Sequence, residues 1–363
     1  MNMKLFPFFI AFIASISTAF AQQEQLYENE QKLVVLLDTL RKAEGDAAKK
    51  IANSNFKMLL KSTLELEEAY SYPFSELKSV GFINSPDGMV RIINWNVEQA
   101  DQTQVYHCFI LNNTDKKKGV QLVELVDNSF MLPEQPEDIL AQTDWYGALY
   151  YKIIPVKKGS KTIYTLLGWD GATAASNKKL IDALYFVGNQ AKLGSPIFKL
   201  KDKTLKRVYF EHSETATMSL KYDDQYKRII FDHLSPEAPG LEGFYSFYVP
   251  DMSYDAMYYD DGKWVLKEDV ISVNPVAAEK THTIRVMNKK TGLPEEKEVK
   301  QGWINPEDSK DPTGGYKHTA MTPEDQLNDE KNKDPKNEIP NVKDKRDPSQ
   351  MSSVLGTKKK RRK

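Results

Sequence analysis

Aromatic and polar side chains recur together along three strand-like segments, and this set has the composition of a ligand-binding groove. Trp, Tyr, Arg and Asp are residue types that stack on a sugar ring or a peptide and hydrogen-bond to it. In the segment MVRIINWN, Arg91 and Trp95 lie four residues apart and so share one face of a strand. Because aromatic side chains also fill the cores of sheets, a structural role is the alternative. The candidate groove residues are Arg91, Trp95, Trp145, Tyr146, Trp169 and Asp170.

Two histidines with neighbouring carboxylates form a second candidate site. His212 ends the segment LKRVYFEH and His233 lies in YKRIIFDHL, and each shares a strand face with apolar residues. Two His and one carboxylate are a minimal zinc set. Strand alternation, however, turns Glu211 and Asp232 away from the imidazoles. We therefore expect both histidines to be hydrogen-bonded structural residues, and we expect no metal.

The motifs of common catalytic mechanisms do not occur in the sequence. There is no G-x-S-x-G nucleophile elbow and no glycine-rich phosphate loop. The single cysteine, Cys108, lies mid-strand among apolar residues, which predicts a small buried side chain. Adjacent acidic pairs at Asp223-Asp224 and Asp260-Asp261 lie in predicted turns, whereas a glycosidase needs its two carboxyls across a cleft. The sequence predicts no cofactor and leaves the question of catalysis open.

The elements that position these candidates begin with two helices. A leucine stripe from Leu33 to Leu40 follows the spacing of one helix face, and a second apolar stripe follows Gly45. Gly45 breaks the first helix, and Asp46 has the side chain of an N-cap for the second. The sequence predicts a helical hairpin over residues 22–75.

Residues 76–287 alternate β-branched and aromatic residues with turn signals, which is typical of antiparallel sheets. Asp-Gly pairs that begin at Asp87, Asp170 and Asp261 supply turn chemistry. Only SNKKLIDALYFV, residues 176–187, has helical spacing and predicts one inserted helix. The predicted fold class is α+β: an N-terminal helical hairpin, then a mainly antiparallel β meander, barrel or sandwich.

The first 21 residues have the pattern of a secretory signal peptide. Lys4 gives a positive n-region, Leu5 to Ala14 an apolar h-region, and Ala19-Phe20-Ala21 a cleavage site. We expect cleavage after Ala21 and a destination in the periplasm or exterior, with no transmembrane segment in the processed protein; an uncleaved anchor is the alternative. A lone cysteine allows no internal disulfide, and a net charge of −1 gives no sign of a nucleic-acid partner.

Residues 288–363 are poor in apolar residues and rich in Pro, Asp, Glu, Lys and Asn. Such a segment cannot bury enough apolar surface to offset its ordering entropy, so we expect a disordered charged tail. It ends in a basic run from Lys358 to Lys363, which suits an anionic surface such as lipid headgroups or an acidic polysaccharide. A solvated tail without a partner is the alternative.

The motifs RIINWN, WYGALYYKI and LLGWDG, in this order, resemble a group of exported β-rich proteins of Bacteroidota-type bacteria. The resemblance covers the strand-rich body. It implies export and a β-rich architecture, and it assigns neither an activity nor a functional residue.

The sequence favours an exported, non-catalytic protein that binds or scaffolds an envelope component, an anionic surface or a polysaccharide. The alternative is a secreted hydrolase with an unrecognised carboxylate site. Polar residues that converge in a deep cleft with shifted pKa values would indicate the hydrolase. Convergence of Arg91, Trp95, Trp145 and Trp169 on an open groove would indicate the binding protein.

Overall fold

A computed structural model describes the backbone of residues 6–270, 280–287 and 294–301, and the side chains of residues 22–270. The chain divides into two compact units, Met1–Ser272 and Val273–Lys363. Among the described residues, no helix has the length and apolar character of a bilayer span. The basic run from Lys358 to Lys363, and the rest of the predicted tail beyond residue 301, lie outside the described residues.

Two helices open the first unit, α1 (Phe6–Lys42) and α2 (Asp46–Leu64), and they confirm the predicted helical hairpin. Helix α1 is continuous through the predicted cleavage site. Gly45 joins the helices with a φ of +75°, in the left-handed region that favours glycine. The predicted cap at Asp46 is wrong: Gly45 takes the N-cap position and Asp46 is the first residue of α2. The Asp46 carboxylate instead accepts the backbone N–H of Ala100 at 2.9 Å.

The first sheet is an antiparallel meander of four strands in sequence order. Its long central pair aligns Val90 with Asn112 and Glu98 with Gln104, so the pairing runs without a bulge. Turn-forming residues between the strands account for the short connections. The strands are β1 (Gly81–Asn84), β2 (Val90–Glu98), β3 (Gln104–Asn112) and β4 (Gln121–Val126).

The second sheet has the strand order β5-β9-β8-β7-β6, and β12 also pairs with β8. All of its ladders are antiparallel. Its strands are β5 (Leu140–Ala141), β6 (Leu149–Lys158), β7 (Lys161–Asp170), β8 (Ser176–Val187), β9 (Gln190–Leu193) and β12 (Val208–Ser213).

Strand β8 occupies the segment that was predicted as an inserted helix, so that prediction is wrong. Leu180 and Leu184 pack toward the first sheet, whereas Ile181 and Ala183 pack on the opposite side. A strand that is buried on both faces reads as a near-continuous apolar run, and such a run matches helical spacing equally well. The segment forms a strand and not a helix because it pairs with β7, β9 and β12.

The third sheet has the order β11-β10-β16-β15-β14-β13, with one parallel pair, β10 and β16. Strand β15 is the longest of the described strands, with 13 residues. Its segment MSYDAMYYD did not stand out in the sequence because polar residues interrupt its alternation. The strands are β10 (Phe198–Lys199), β11 (Thr204–Leu205), β13 (Leu220–Asp223), β14 (Arg228–Pro236), β15 (Tyr248–Asp260) and β16 (Lys263–Lys267).

The first unit stacks these elements in four layers. The helical hairpin packs on the outer face of the first sheet, and the second sheet lies between the first and the third, as the membership of three buried clusters shows. Asn94 of β2 bonds the backbone of Tyr150 in β6, and Trp264 of β16 donates to Thr165 of β7 at 2.9 Å. These bonds tie neighbouring sheets together and confirm the predicted β-rich body as a stack of sheets.

The described part of the second unit is an antiparallel pair, β17 (Lys280–Met287) and β18 (Pro294–Gln301). Strand β18 lies where the sequence predicted a disordered tail. Its register places Arg285 opposite Glu296 and Thr283 opposite Glu298. A prediction from apolar content misses such a polar pair of strands. The division into two units falls after Ser272, whereas the predicted β-rich domain extends to residue 287.

Candidate functional site

Arg91 is a core residue and does not line a groove. Its Nη1 donates to three backbone carbonyl oxygens, those of Ala69, Tyr70 and Tyr72, at 2.7–3.0 Å. Its guanidinium lies 5.1 Å from the ring centre of Phe82 and 5.6 Å from that of Phe74. Arg91 therefore contacts aromatic rings of its own chain, and it fastens the segment after α2 onto the first sheet.

Trp95 shares the face of Arg91, as predicted, and the helical hairpin covers that face. The indole N–H donates to Asn53 Oδ1 at 2.8 Å, and Asn53 Nδ2 lies 2.9 Å from His107 Nε2. Phe56 of α2 meets the indole edge-on at 5.3 Å. Burial, as the main cause, lowers the pKa of His107 to about 4. This Trp95–Asn53–His107 cluster joins α2 to the sheet.

Trp145 is fully buried between the first and second sheets. Its indole N–H donates to Tyr150 Oη at 3.0 Å, and that hydroxyl lies 3.4 Å from Asp182 Oδ2. Asp182 pairs in turn with Arg207 Nε at 2.9 Å, with both side chains almost inaccessible. The predicted groove residues Arg91, Trp95 and Trp145 therefore belong to two different cores.

Tyr146 and Asp170 do meet at an open site, and Tyr106 completes it. Asp170 accepts the Tyr106 hydroxyl at 2.9 Å on one oxygen and the Tyr146 hydroxyl at 3.1 Å on the other. The Tyr106 oxygen also accepts the backbone N–H of Gly171 at 2.8 Å. These groups lie at a cavity of about 510 Å³. We call it the acidic groove and define it by Tyr106, Asp127, Phe130, Glu134, Tyr146, Asp170 and Lys178.

Asp127 is a groove residue that the sequence analysis missed. Its carboxylate accepts the backbone N–H of Tyr106 at 2.8 Å and both the N–H and the hydroxyl of Ser129, at 3.0 and 2.7 Å. Gly147, with φ +83°, passes so close that a Cβ would lie 2.8 Å from this carboxylate. Only glycine fits at position 147. The Trp-Tyr-Gly run was therefore the one sequence signal that could have pointed to this part of the groove.

The charge of the groove is acidic overall. Burial raises the pKa of both the Asp127 and the Asp170 carboxyls, and Lys178 opposes the shift at Asp170. Lys178 pairs directly opposite Asp170 in the ladder of β7 and β8. Its ammonium lies 3.2 Å from Glu134, which is 73% exposed, and 3.9 Å from Glu211. One ammonium therefore faces several carboxylates.

The groove also has an apolar rim. Phe130 lines it and is 82% exposed. Trp169, the remaining predicted residue, is half-buried. Its ring covers Gly171 so closely that a Cβ there would lie 2.7 Å from the ring, beside Gln104 of the groove wall. Trp169 flanks the groove without lining it.

The two candidate histidines lie in different sheets and each has a hydrogen bond. His212 Nδ1 lies 2.8 Å from the Ser213 carbonyl oxygen, and burial lowers its pKa. His233 Nδ1 lies 2.8 Å from Asp255 Oδ2, and this hydrogen bond raises its pKa. No group of three potential metal ligands occurs within the described residues. Cys108 is buried as predicted, and burial raises the pKa of its thiol.

Comparison with known proteins gives no relative of this chain. No family model matches it, and no curated protein or solved structure matches either. The functional argument therefore rests on the geometry of the acidic groove and on the sequence.

Proposed function

We propose that this protein is an exported, non-catalytic module that binds a component of the bacterial envelope or surface through the acidic groove. The observation that carries the proposal is the saturation of two groove carboxylates, Asp127 and Asp170, by donors of their own chain. Asp170 has a tyrosine hydroxyl on each oxygen, and Asp127 accepts three donors from its own chain. The N-terminal signal pattern supports export.

Saturated carboxylates favour binding over hydrolysis. A general acid must offer its proton to the leaving group, and a general base must reach a water or a substrate hydroxyl. On Asp170, the hydroxyls of Tyr106 and Tyr146 occupy the oxygens that a water or a substrate would need to reach. Burial raises the pKa of both tyrosines, so they stay protonated and act as donors. The raised pKa of Asp170 is the one observation that favours the hydrolase.

The groove suits a neutral ring-containing ligand. Phe130 offers an exposed ring for stacking, and the exposed Glu134 can accept hydrogen bonds from hydroxyl groups. The carboxylates repel an anionic ligand. Among the partners expected from the sequence, a neutral polysaccharide of the envelope therefore fits this groove better than an anionic surface does.

The experiment is an affinity measurement with neutral polysaccharide fragments purified from a Gram-negative envelope. We expect Phe130→Ala to weaken binding about tenfold, because exposed aromatic anchors dominate such contacts. Met252→Ala is the matched control, since Met252 is 93% exposed and lies outside the groove. Equal affinity of native protein and Phe130→Ala, or release of soluble sugar by the native protein, would contradict the proposal.

A further inference from the structure

We propose a second binding site, for a phosphate ester, at the opposite ends of the strands that form the acidic groove. It is a cleft beside the β6–β7 turn, and we call it the basic cleft. The site stands independently of the function proposed for the acidic groove. Its lining includes Thr114, Lys157, Lys161, Thr162, Tyr185 and Phe186.

Strands β3 and β7 both connect the two sites. Strand β3 runs from Gln104, in the wall of the acidic groove, to Asn112, two residues before Thr114 of the basic cleft. Strand β7 runs from Lys161, in the basic cleft, to Asp170, in the acidic groove. At about 3.3 Å per residue, the two sites are about 30 Å apart. A ligand in one does not touch the other.

Lysines concentrate at this end of the molecule. Lys157 and Lys158 at the end of β6 and Lys161 at the start of β7 flank the turn between these strands. The loop after Asn112 carries three consecutive lysines, residues 116–118. Lys157 Nζ donates to Thr162 Oγ1 at 2.6 Å and Lys158 Nζ to a backbone oxygen at 3.1 Å. Among the described residues these turn lysines have no carboxylate partner, so their charge is available to an anion.

Asp87 is the one carboxylate in the lining, and its chain already satisfies it. It accepts the Ser85 hydroxyl at 2.6 Å, the Met89 N–H at 3.1 Å and the Tyr164 hydroxyl at 3.1 Å. In the loop above, Asp115 lies 3.7 Å from Lys118 Nζ. Asp87 is held by its own chain and Asp115 lies beside Lys118, so neither carboxylate neutralises the lysines of the turn. The cleft therefore has a surplus of positive charge.

The shape of the cleft leaves room for a ring that is attached to the phosphate group. Its volume is about 420 Å³, and a depression of about 200 Å³ adjoins it, with Lys161 and Tyr185 in the lining of both. Phe186 is half-buried and meets the ring of Tyr164 edge-on, with 6.4 Å between the ring centres, and these two rings give the cleft an aromatic wall. Lysine ammonium groups bind phosphate as point charges, and aromatic walls take a sugar or similar ring. The ligand class is therefore a phosphate ester of a sugar or another polyol, either free in solution or as the headgroup of a lipid.

Two arms of one experiment distinguish these sources. The first titrates the full chain with glucose 6-phosphate, inorganic phosphate and glucose. The second measures co-sedimentation with vesicles of phosphatidylglycerol or phosphatidylcholine. The test variant is Lys157→Gln with Lys161→Gln, and the control is Lys50→Gln with Lys221→Gln, two exposed lysines elsewhere. The basic run at the C-terminus is the same in all proteins, so it does not contribute to the difference.

We expect the test variant to bind the phosphate probe at least about tenfold more weakly, because two charge-assisted contacts are lost. Glucose should not bind, and inorganic phosphate should compete. A loss confined to glucose 6-phosphate identifies a soluble ester, and a loss confined to phosphatidylglycerol identifies a lipid headgroup. Equal binding by native protein and test variant in both arms would overturn the proposal. Unchanged phosphate binding by Tyr146→Phe would separate this site from the acidic groove.

Discussion

The Trp95–Asn53–His107 cluster and the acidic groove use the same chemistry in two settings. In each, an aromatic side chain donates a hydrogen bond to a polar acceptor from another element, at 2.8 Å in the cluster and at 2.9 and 3.1 Å in the groove. The helical hairpin covers the cluster, and its acceptors are an amide and a neutral imidazole. The groove is open, and its acceptor is a carboxylate. The difference teaches that charge follows pairing: Asp170 has two hydroxyl donors and the favourable charge of Lys178 nearby, whereas the covered cluster pairs uncharged groups with one another.

The largest expected effect is the loss of the covered indole. Trp95→Ala removes a fully buried side chain and leaves Asn53 without its donor, so we expect the free energy of unfolding to fall by about 3–5 kcal/mol. Denaturant unfolding measures this change. Trp169→Ala is the control, because removal of a half-buried indole should lower the free energy of unfolding clearly less. Equal losses in the two variants would remove the distinction between covered and open faces.

The second effect is the pH dependence of the covered cluster. The pKa of His107 is about 4 in the folded chain and about 6.5 in the unfolded chain. The unfolded state therefore binds the proton first, and stability contributed by neutral His107 is lost as the pH falls from about 6.5 toward 4. The expected loss is about 3 kcal/mol. The change is measured as the difference in pH dependence between native protein and His107→Phe, and identical profiles would contradict it.

The third effect is smaller and lies in the open groove. Tyr146→Phe removes one of the two hydroxyls on Asp170, and we expect unfolding to become easier by about 1–2 kcal/mol. The same loss should raise the pKa of Asp170 further, because the hydrogen bond stabilises its charged form. Carbon-13 NMR titration measures that pKa. An unchanged pKa would mean that Tyr106 alone holds the carboxylate.

The smallest effect on stability separates binding from folding. Phe130→Ala should change the free energy of unfolding by no more than about 0.5 kcal/mol, because the side chain is 82% exposed. It should still weaken ligand binding, as argued for the proposed function. Thermal unfolding of the variant measures the first quantity. A large loss of stability would show that Phe130 packs within the protein and is not a ligand contact.

Local patterns predicted the helical hairpin and most of the strands, because leucine spacing and β-branched runs report on local structure. They failed at β8, where coverage on both faces produced a helix-like run. For the site, strand alternation placed Arg91 and Trp95 on one face correctly. It could not show that the helical hairpin covers that face, because coverage depends on long-range packing. Tyr106 was missed for the same reason, because it meets Asp170 through the stacking of two sheets. Asp127 joins the site only by accepting the backbone N–H of Tyr106, a contact that sequence proximity does not reveal.

The most direct test of the account is one assay of binding and hydrolysis in the same sample. Native protein and Asp170→Asn are each incubated with neutral envelope polysaccharide, and both the bound protein and the released reducing ends are measured. The account predicts that native protein binds and that neither protein releases reducing ends, because the carboxylates of Asp170 and Asp127 are held by their own chain. Release by the native protein that Asp170→Asn abolishes would contradict it and establish a hydrolase.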